Sequence, residues 1–371
     1  MIQFEICPSR RPRPETEREA ILRSPGFGHD FTDHMVTMRW SDERGWHDAR
    51  LEPYGSLQLD PATSVFHYAQ EIFEGMKAYR QENGSIVLFR PEANAARFNQ
   101  SARRMAMPEV PVDTFIRALE LLVSQDRAWV PADEGDSLYL RPLMIATARG
   151  LGFTRPSSEY LFCVIASPAT AYFAAGGGAG ARDRAVTVWL SEDYTRAAPG
   201  GTGAVKTGGN YAGAFAAQRQ AIAEGCDQVV WLDAAEHVWV EEMGGMNLFF
   251  VRRAADGTPS IMTPALTGTL LPGVTRDSLL RLAAEMGIGA EEGRISVSQW
   301  REQCASGELT EVFACGTAAV VASVGRVKGL SARWKIGDGE PGPVTLSLRE
   351  ALLGLQYGRH ADPFDWIHKV C

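Results

Sequence analysis

The sequence lacks any apolar run long enough to cross a membrane, and it has no strong excess of charge of either sign. Its most apolar stretch, residues 160–166, is far shorter than the roughly 20 residues that a spanning helix needs. The formal net charge of -8 is spread along the chain, so the electrostatic field that nucleic-acid binding requires is not present. We therefore expect neither a membrane nor a nucleic-acid partner.

Cysteine is scarce, and its spacing excludes the usual metal sites. The six cysteines lie far apart, with no Cys-x-x-Cys pair and no His at metal-ligand spacing, so we predict free thiols and no metal. The first residues, up to Arg18, mix Arg and Glu with prolines and lack the apolar stretch of a signal peptide. These features predict a cytoplasmic protein.

The length and the apolar fraction allow two domains of ordinary size. The chain has 371 residues, of which 45% are hydrophobic, enough for two cores. Residues 174–184 read Ala-Ala-Gly-Gly-Gly-Ala-Gly-Ala-Arg-Asp-Arg, a composition that buries little apolar surface. We predict an α+β fold with a first domain of residues 1–173, a glycine-rich linker of residues 174–184 and a second domain of residues 185–371.

Hydrophobic periodicity predicts strands and helices in both domains. Strands are predicted at residues 35–40, 86–90, 138–145, 160–166, 185–190, 228–232, 237–240, 248–251 and 311–314. Helices are predicted at residues 91–105, 111–129, 210–224, 274–286 and 345–357.

The most unusual stretch is a glycine-rich loop, residues 197–211, that contains a single lysine, Lys206. A nucleotide P-loop needs Gly directly before its Lys, and here Val205 stands in that place. A nucleotide-binding module built on Gly200–Gly209 is nevertheless one interpretation. A lysine between a glycine loop and a helix can instead attack an aldehyde and form a Schiff base. Taken alone, the loop favours an ordinary solvated lysine.

Several other segments agree with the Schiff-base interpretation. They are His67–Tyr79, Leu88–Arg97, Val240–Asn247, Leu266–Gly273 and Cys315–Ala319. Together with the Lys206 loop, they resemble branched-chain aminotransferases, which are fold type IV pyridoxal-phosphate enzymes, over nearly the whole chain. The resemblance implies a smaller N-terminal domain, a larger C-terminal α/β domain that binds the cofactor, and transamination between leucine, isoleucine or valine and 2-oxoglutarate.

Other fold type IV enzymes are the nearest alternatives. A D-amino acid or (R)-amine transaminase, or an aminodeoxychorismate lyase, would share Lys206, Glu242 and Arg97. Residues 68–79 and 139–141 look like the branched-chain group, which argues against these alternatives.

The resemblance implies roles for the main cofactor residues. Lys206 would hold pyridoxal 5'-phosphate as a Schiff base and move the substrate proton. Glu242 would keep the pyridine nitrogen protonated, with Asn247 in support. Arg97 would grip the phosphate with its guanidinium fork. The neighbouring Glu241 is expected at the surface.

Further cofactor contacts are implied by the same segments. Tyr211 would donate a hydrogen bond to the phenolic oxygen of the cofactor. Backbone N–H groups of Thr269 and Leu270, together with the turn at Gly316–Thr317, would bind the remaining phosphate oxygens. Arg196 would have a supporting role.

The substrate pocket is implied in the same way. The α-carboxylate would lie at the turn of Thr317 and Ala318. Tyr139 and Arg141 match the positions that accept the side-chain carboxylate of glutamate. The apolar part of the pocket would be formed by the aromatic side chains of Tyr68, Phe73 and Tyr172.

The resemblance also implies a homodimer. The loop Gly150–Phe153, which includes Leu151, would reach over the active site of the partner subunit. Residues 172–183 would form a mobile lid.

Overall fold

The structure is a computed structural model that describes residues 2–170 and 184–371. The chain divides into two compact units. Unit 1 consists of Met1–Ala175, Val205–Gly208 and Leu355–Cys371, and unit 2 consists of Gly176–Ala204 and Gly209–Gly354. Each unit combines one nine-stranded sheet with helices, which confirms the predicted α+β class.

The sheet of unit 1 has the strand order β1-β3-β2-β8-β7-β5-β6-β18, with β4 paired to β7. Its pairs are antiparallel except β1 with β3. In chain order, the strands are β1 (Glu5–Ile6), β2 (His34–Ser41), β3 (Gly45–Pro53), β4 (Glu71–Phe73), β5 (Met76–Arg80), β6 (Ile86–Phe89), β7 (Ser137–Ala146), β8 (Glu159–Ala169) and β18 (Ile367–Lys369).

The described α-helices of the two units are 4 to 14 residues long. They are α1 (Glu15–Leu22), α2 (Val65–Tyr68), α3 (Pro91–Arg104), α4 (Val112–Gln125), α5 (Gly208–Ala212), α6 (Phe215–Ala223), α7 (Val274–Glu285), α8 (Val297–Ser306) and α9 (Pro343–Gln356). A 3-10 helix, Arg127–Trp129, follows α4.

Strand β7 shows that the sheet of unit 1 has two different faces. Leu138, Leu140 and Met144 are fully buried, whereas the alternate residues Tyr139 and Arg141 are half-buried, because successive side chains of a strand point to opposite faces. The buried face packs against α3 and α4 through three aromatic rings with centroids 5.4 to 5.9 Å apart, those of Phe98, Phe115 and Phe162. The other face is available to carry polar groups.

The sheet of unit 2 has the order β11-β10-β9-β16-β15-β12-β13-β14, with β17 paired to β16. Strand β11 also pairs with β12, so β10, β9, β16, β15, β12 and β11 form a closed ring. In chain order, the strands are β9 (Val186–Ser191), β10 (Gln228–Leu232), β11 (Val240–Met243), β12 (Met246–Arg253), β13 (Pro259–Pro264), β14 (Gly289–Gly293), β15 (Leu309–Gly316), β16 (Val320–Lys328) and β17 (Arg333–Lys335).

Most predicted elements are confirmed with small shifts of their ends, and three differ. The strand predicted at 237–240 begins only at Val240, because Asp233 accepts four backbone N–H groups in a turn where His237 has φ 54°. The helix predicted at 210–224 is divided into α5 and α6. The helix predicted at 111–129 ends at Gln125, before the 3-10 turn.

The C-terminal residues belong to unit 1 rather than to the unit that precedes them in sequence. They do so because β18 pairs antiparallel with β6. The Trp366 side chain is buried, with its ring 5.7 Å from that of Phe89 and 4.6 Å from the guanidinium carbon of Arg90. The predicted linker lies outside the described residues except for Arg184, and no described helix has the length and apolarity to span a membrane.

We expect Trp366→Ala to lower the free energy of unfolding by about 3 to 5 kcal/mol, because it removes a buried aromatic ring that holds the C-terminal segment. Denaturant titration followed by circular dichroism measures the loss. Ile6→Ala, at a side chain that is 49% exposed, should change the value by less than about 0.5 kcal/mol. An equally small effect of Trp366→Ala would contradict the expectation.

Candidate active site

Lys206 lies in the short segment Val205–Gly208 that belongs to unit 1. Its backbone is fixed on both sides: Lys206 N donates to Ser101 Oγ at 3.1 Å, and Phe73 N donates to the Lys206 carbonyl at 3.0 Å. The Nζ atom lies 4.9 Å from the centroid of the Phe73 ring. The lysine of the glycine-rich loop is therefore held in a defined position by α3 and β4.

Glu71 fixes the residues that follow the lysine. Its carboxylate accepts the backbone N–H of Gly208 and a hydrogen bond from the side chain of Thr207. Burial raises the pKa of Glu71, while these hydrogen bonds and the charge of Arg141 act in the opposite direction. Thr207 and Gly208, the two residues that follow Lys206, are therefore both hydrogen-bonded to Glu71 of strand β4.

The half-buried face of the unit 1 sheet carries Tyr139 and Arg141. Arg141 Nη2 donates to Tyr139 Oη at 3.2 Å, and the guanidinium carbon lies 4.8 Å from the Phe73 ring centroid and 5.3 Å from that of Tyr139. Within the part of the chain that the structure describes, Arg141 Nε is buried without a hydrogen-bond partner. A side chain at position 75 would overlap the Tyr139 hydroxyl, so Gly75 makes this arrangement possible. The face therefore presents the Arg141 guanidinium with an N–H group, on Nε, that can still donate a hydrogen bond.

Arg97 takes part in a buried ion pair with Glu74. Its Nε and Nη2 atoms donate to the two carboxylate oxygens at 2.7 and 2.9 Å, and Asn94 adds a hydrogen bond at 2.8 Å. Glu74 is fully buried, which raises its pKa, but the charge and hydrogen bonds of Arg97 outweigh burial and hold the pKa below its usual value; Lys206 contributes in the same direction. Glu74 is not among the site residues predicted from the sequence, because nothing in its local pattern indicates the ion pair.

In unit 2, Glu242 lies at the centre of a buried network. Its Oε1 atom accepts hydrogen bonds from Leu271 N at 2.7 Å and from Asn247 Nδ2 at 3.2 Å. Its Oε2 atom lies 3.0 Å from Arg196 Nε. The pairing of Glu242 with Asn247 across β11 and β12 places the two side chains together. The result is a carboxylate that is only 1% exposed and has fixed partners.

Arg196 also joins the glycine-rich loop to a second loop. Its Nη2 atom donates to the carbonyl of Gly203 at 3.2 Å and to that of Thr269. A Cβ at position 203 would overlap the backbone of Thr269, so only glycine permits this approach. Arg196 thus orients Glu242 and the two loops at once.

Glu241, expected at the surface, is in fact buried, so that expectation is wrong. All four residues of β11 are buried, so both faces of the strand are covered, because its successive side chains point to opposite faces. The Thr269 hydroxyl donates to the Glu241 carboxylate, and burial raises the pKa of Glu241. Both residues line a cavity of about 150 Å³ together with Leu270 and Trp239.

The segment expected to bind phosphate leads into helix α7. Thr269 and Leu270 are buried and precede the helix, which begins at Val274 after Gly273. The N–H of Leu271 already donates to Glu242. Thr269 and Leu270 therefore lie in the segment that leads into the N-terminus of α7, the end of a helix that favours an anion.

The remaining predicted cofactor residues also lie in unit 2. Tyr211 is in α5, and a Cβ at Gly245 would be 3.1 Å from its ring, so glycine leaves room for the tyrosine. Residues 317–319 form the tight turn between β15, which ends at Gly316, and β16, whose first residue Val320 has φ 61°. The turn places Thr317 and Ala318 at one end of the closed ring.

Two of the predicted substrate residues lie in an exposed apolar patch of unit 1. Tyr68 donates its hydroxyl to the carbonyl of Leu151, and its ring lies 5.6 Å from that of Phe153. Tyr68, Leu151 and Phe153 are 41%, 65% and 77% exposed. Tyr172, like the predicted lid, lies outside the described residues.

Comparison with known proteins identifies the family. Residues 71–327 match the model of the family described as amino-transferase class IV. A protein of Streptomyces coelicolor named probable branched-chain-amino-acid aminotransferase is 59% identical over 99% of this chain and 98% of its own length. A branched-chain-amino-acid aminotransferase of Mycolicibacterium smegmatis is 53% identical over 100% of this chain and 98% of its own.

Solved structures agree with the fold. The branched-chain amino acid aminotransferase of Escherichia coli has a TM-score of 0.71 and 28% identity, covering 91% of this chain and 100% of that one. The T.th. branched-chain amino acid aminotransferase with pyridoxamine 5'-phosphate has a TM-score of 0.72 and 29% identity, covering 91% and 99%. The family resemblance and the fold type IV architecture predicted from the sequence are confirmed, and the chain belongs to the class IV aminotransferases.

Proposed function

We propose that this protein is a pyridoxal-phosphate-dependent branched-chain-amino-acid aminotransferase, which moves the amino group between leucine, isoleucine or valine and 2-oxoglutarate. Relatives that are 52% to 59% identical over essentially the whole chain are named for this activity. The T.th. enzyme has been solved with pyridoxamine 5'-phosphate and with N-(5'-phosphopyridoxyl)-L-glutamate. The substrates are thus small amino acids and 2-oxo acids.

One observation in unit 1 carries the proposal. The Phe73 ring contacts both the amine of Lys206 and the guanidinium of Arg141, at 4.9 and 4.8 Å from its centroid. The Lys206 amine, which can react with the cofactor, and the Arg141 guanidinium, which can bind an acidic side chain, therefore lie against the same aromatic ring. An apolar substrate side chain can also contact this ring. This combination suits an enzyme that accepts both apolar and acidic substrates.

The side chains fit pyridoxal phosphate. When bound, this cofactor supplies an aldehyde carbon and an electron-accepting ring. Lys206 would hold it covalently and carry the proton to and from the substrate α-carbon. Glu242, oriented by Asn247, Arg196 and Leu271 N, would keep the ring nitrogen protonated.

Arg97 would bind the cofactor phosphate. Glu74 holds its Nε and Nη2 atoms and so fixes the plane of the guanidinium. We propose phosphate contacts also from the segments identified by resemblance. The further proposed cofactor residues are Tyr211, Thr269, Leu270, Gly316 and Thr317.

The substrate side chain would lie on the half-buried face of unit 1. Arg141 and Tyr139 would accept the side-chain carboxylate of glutamate, because the guanidinium makes no ion pair with a carboxylate of the described residues. The α-carboxylate would bind at Thr317 and Ala318. The other proposed pocket residues are Tyr68, Phe73, Leu151 and Tyr172.

We further propose a homodimer. Tyr68, Leu151 and Phe153 form an exposed apolar patch, and such patches mark association surfaces. We also propose a cytoplasmic location, since all six cysteines are free, as in a reducing compartment.

The nucleotide-binding alternative is not favoured. A phosphate-binding loop needs free backbone N–H groups, and the N–H of Gly208 is taken by the carboxylate of Glu71, which would repel a phosphate. The other fold type IV activities are not favoured either, because the relatives cited above are named for branched-chain substrates.

Borohydride reduction of the holoenzyme should attach the cofactor to Lys206, and Lys206→Ala should fold but be inactive. Peptide mapping by mass spectrometry checks the site. Lys77 is the other lysine that could react with the cofactor aldehyde. Burial lowers its pKa to about 8, although the charge of Asp136 acts to raise it. An adduct on Lys77 would overturn the assignment. The half-buried Lys328 and the exposed Lys335 and Lys369 are expected to remain unlabelled.

Glu242→Gln should lower kcat by at least about a hundredfold while weakening cofactor binding much less, because the amide fills the same space but cannot stabilise a proton on the ring nitrogen. Arg97→Lys should show the reverse, since a lysine cannot reproduce the fork but still pairs with Glu74. Cofactor titration and steady-state rates separate the two effects. Near-normal turnover of Glu242→Gln would assign the role to another residue.

Arg141→Ala should reduce kcat/KM for glutamate about tenfold to a hundredfold, the cost of a lost charge-assisted hydrogen bond, and affect leucine much less. Single-turnover rates with each amino acid on folded variant protein measure the split. Arg44→Ala, at a surface ion pair with Asp48, is the control and should change neither rate. Equal losses for both substrates would show that Arg141 is structural.

A further inference from the structure

Glu71 lies on the same half-buried face of the unit 1 sheet as the proposed side-chain pocket. In the β4–β7 register, Glu71 pairs with Ile145 and Phe73 with Leu143, so both point to the face that carries Arg141 two residues further along β7. These residues are half-buried, whereas their alternate neighbours are fully buried. The face therefore carries the negative side chain of Glu71 as well as the guanidinium of Arg141, with Phe73 between them in the strand register.

The two charges do not form an ion pair. The Glu71 carboxylate is bound to Gly208 N and the Thr207 side chain, and the Arg141 guanidinium to the Tyr139 hydroxyl and two rings. Because each side chain is fixed by other groups, Glu71 cannot swing over to neutralise Arg141. Its charge nevertheless acts through space, and the same interaction is one of the influences on the pKa of Glu71.

A fixed charge at this place has opposite effects on the two substrate classes. For an apolar side chain, the negative charge of Glu71 offsets part of the field of Arg141 and reduces the cost of leaving the guanidinium without an anion. For glutamate, the same charge repels the side-chain carboxylate that Arg141 attracts.

We propose that Glu71 is a specificity-determining residue that shifts the pocket from acidic toward branched apolar substrates. The inference rests on the proposed transaminase function and on the role of Arg141 in it. Glu71 acts through the electrostatic field at Arg141, while its hydrogen bonds keep it in place beside the Lys206 segment.

The test is Glu71→Gln, which removes the charge but keeps an oxygen that can accept the N–H of Gly208. The ratio of kcat/KM for L-glutamate to kcat/KM for L-leucine should rise about threefold to tenfold. Because both values come from the same holoenzyme sample, the ratio is independent of the fraction of active protein. Glu159→Gln, an exposed residue at the start of β8, changes the net charge equally and should leave the ratio unaltered.

The double variant Glu71→Gln/Arg141→Gln separates a field effect from a structural one. If Glu71 acts through Arg141, the rise in the ratio disappears when Arg141 is already replaced. Equal losses for both substrates in Glu71→Gln, or an unchanged ratio, would overturn the inference and leave Glu71 as a support of the Lys206 segment. A wild-type enzyme that transaminates neither amino acid would instead overturn the proposed function.

Discussion

The hydrogen bonds that fix the backbone of Lys206 are the interactions on which the rest of the unit 1 site depends. Ser101 on α3 and Phe73 on β4 hold the residue itself, and Glu71 holds the residue two positions later. A lysine side chain has four rotatable bonds, so a defined position of its amine requires a fixed backbone. The same strand β4 supplies the Phe73 ring against which both Lys206 and Arg141 lie.

In unit 2, the main constraint is the burial of two adjacent carboxyl groups. The hairpin of β11 and β12 closes the ring of strands and carries Glu241 and Glu242 on opposite faces of β11, both of them buried. Burial of an ionised carboxylate is tolerated only where hydrogen bonds and opposite charge replace water. Arg196, Asn247 and a backbone N–H do this for Glu242, and Thr269 does it in part for Glu241.

Local sequence patterns predicted the elements whose structure is decided locally. Hydrophobic periodicity predicted the strand β7, and the glycine-rich loop drew attention to Lys206. Features that depend on register or on distant partners could not be found in this way. The pairing of Glu74 with Arg97 depends on how β4 meets α3, and the burial of Glu241 depends on its contact with Thr269, 28 residues further along the chain. The onset of β11 at Val240 depends on the turn at Asp233, whose side chain competes for backbone N–H groups.

The pairing of β18 with β6 also has a consequence for how the chain is made. On a ribosome, residues 86–89 emerge long before residues 367–369, and all of unit 2 is synthesised in between. Until the last residues appear, one side of β6 is an open sheet edge with unpaired N–H and C=O groups. Nascent chains in which β5, β7 and β8 have already paired would therefore expose β6 as a site for strand addition until residues 367–369 emerge, and a chaperone that covers sheet edges would act there.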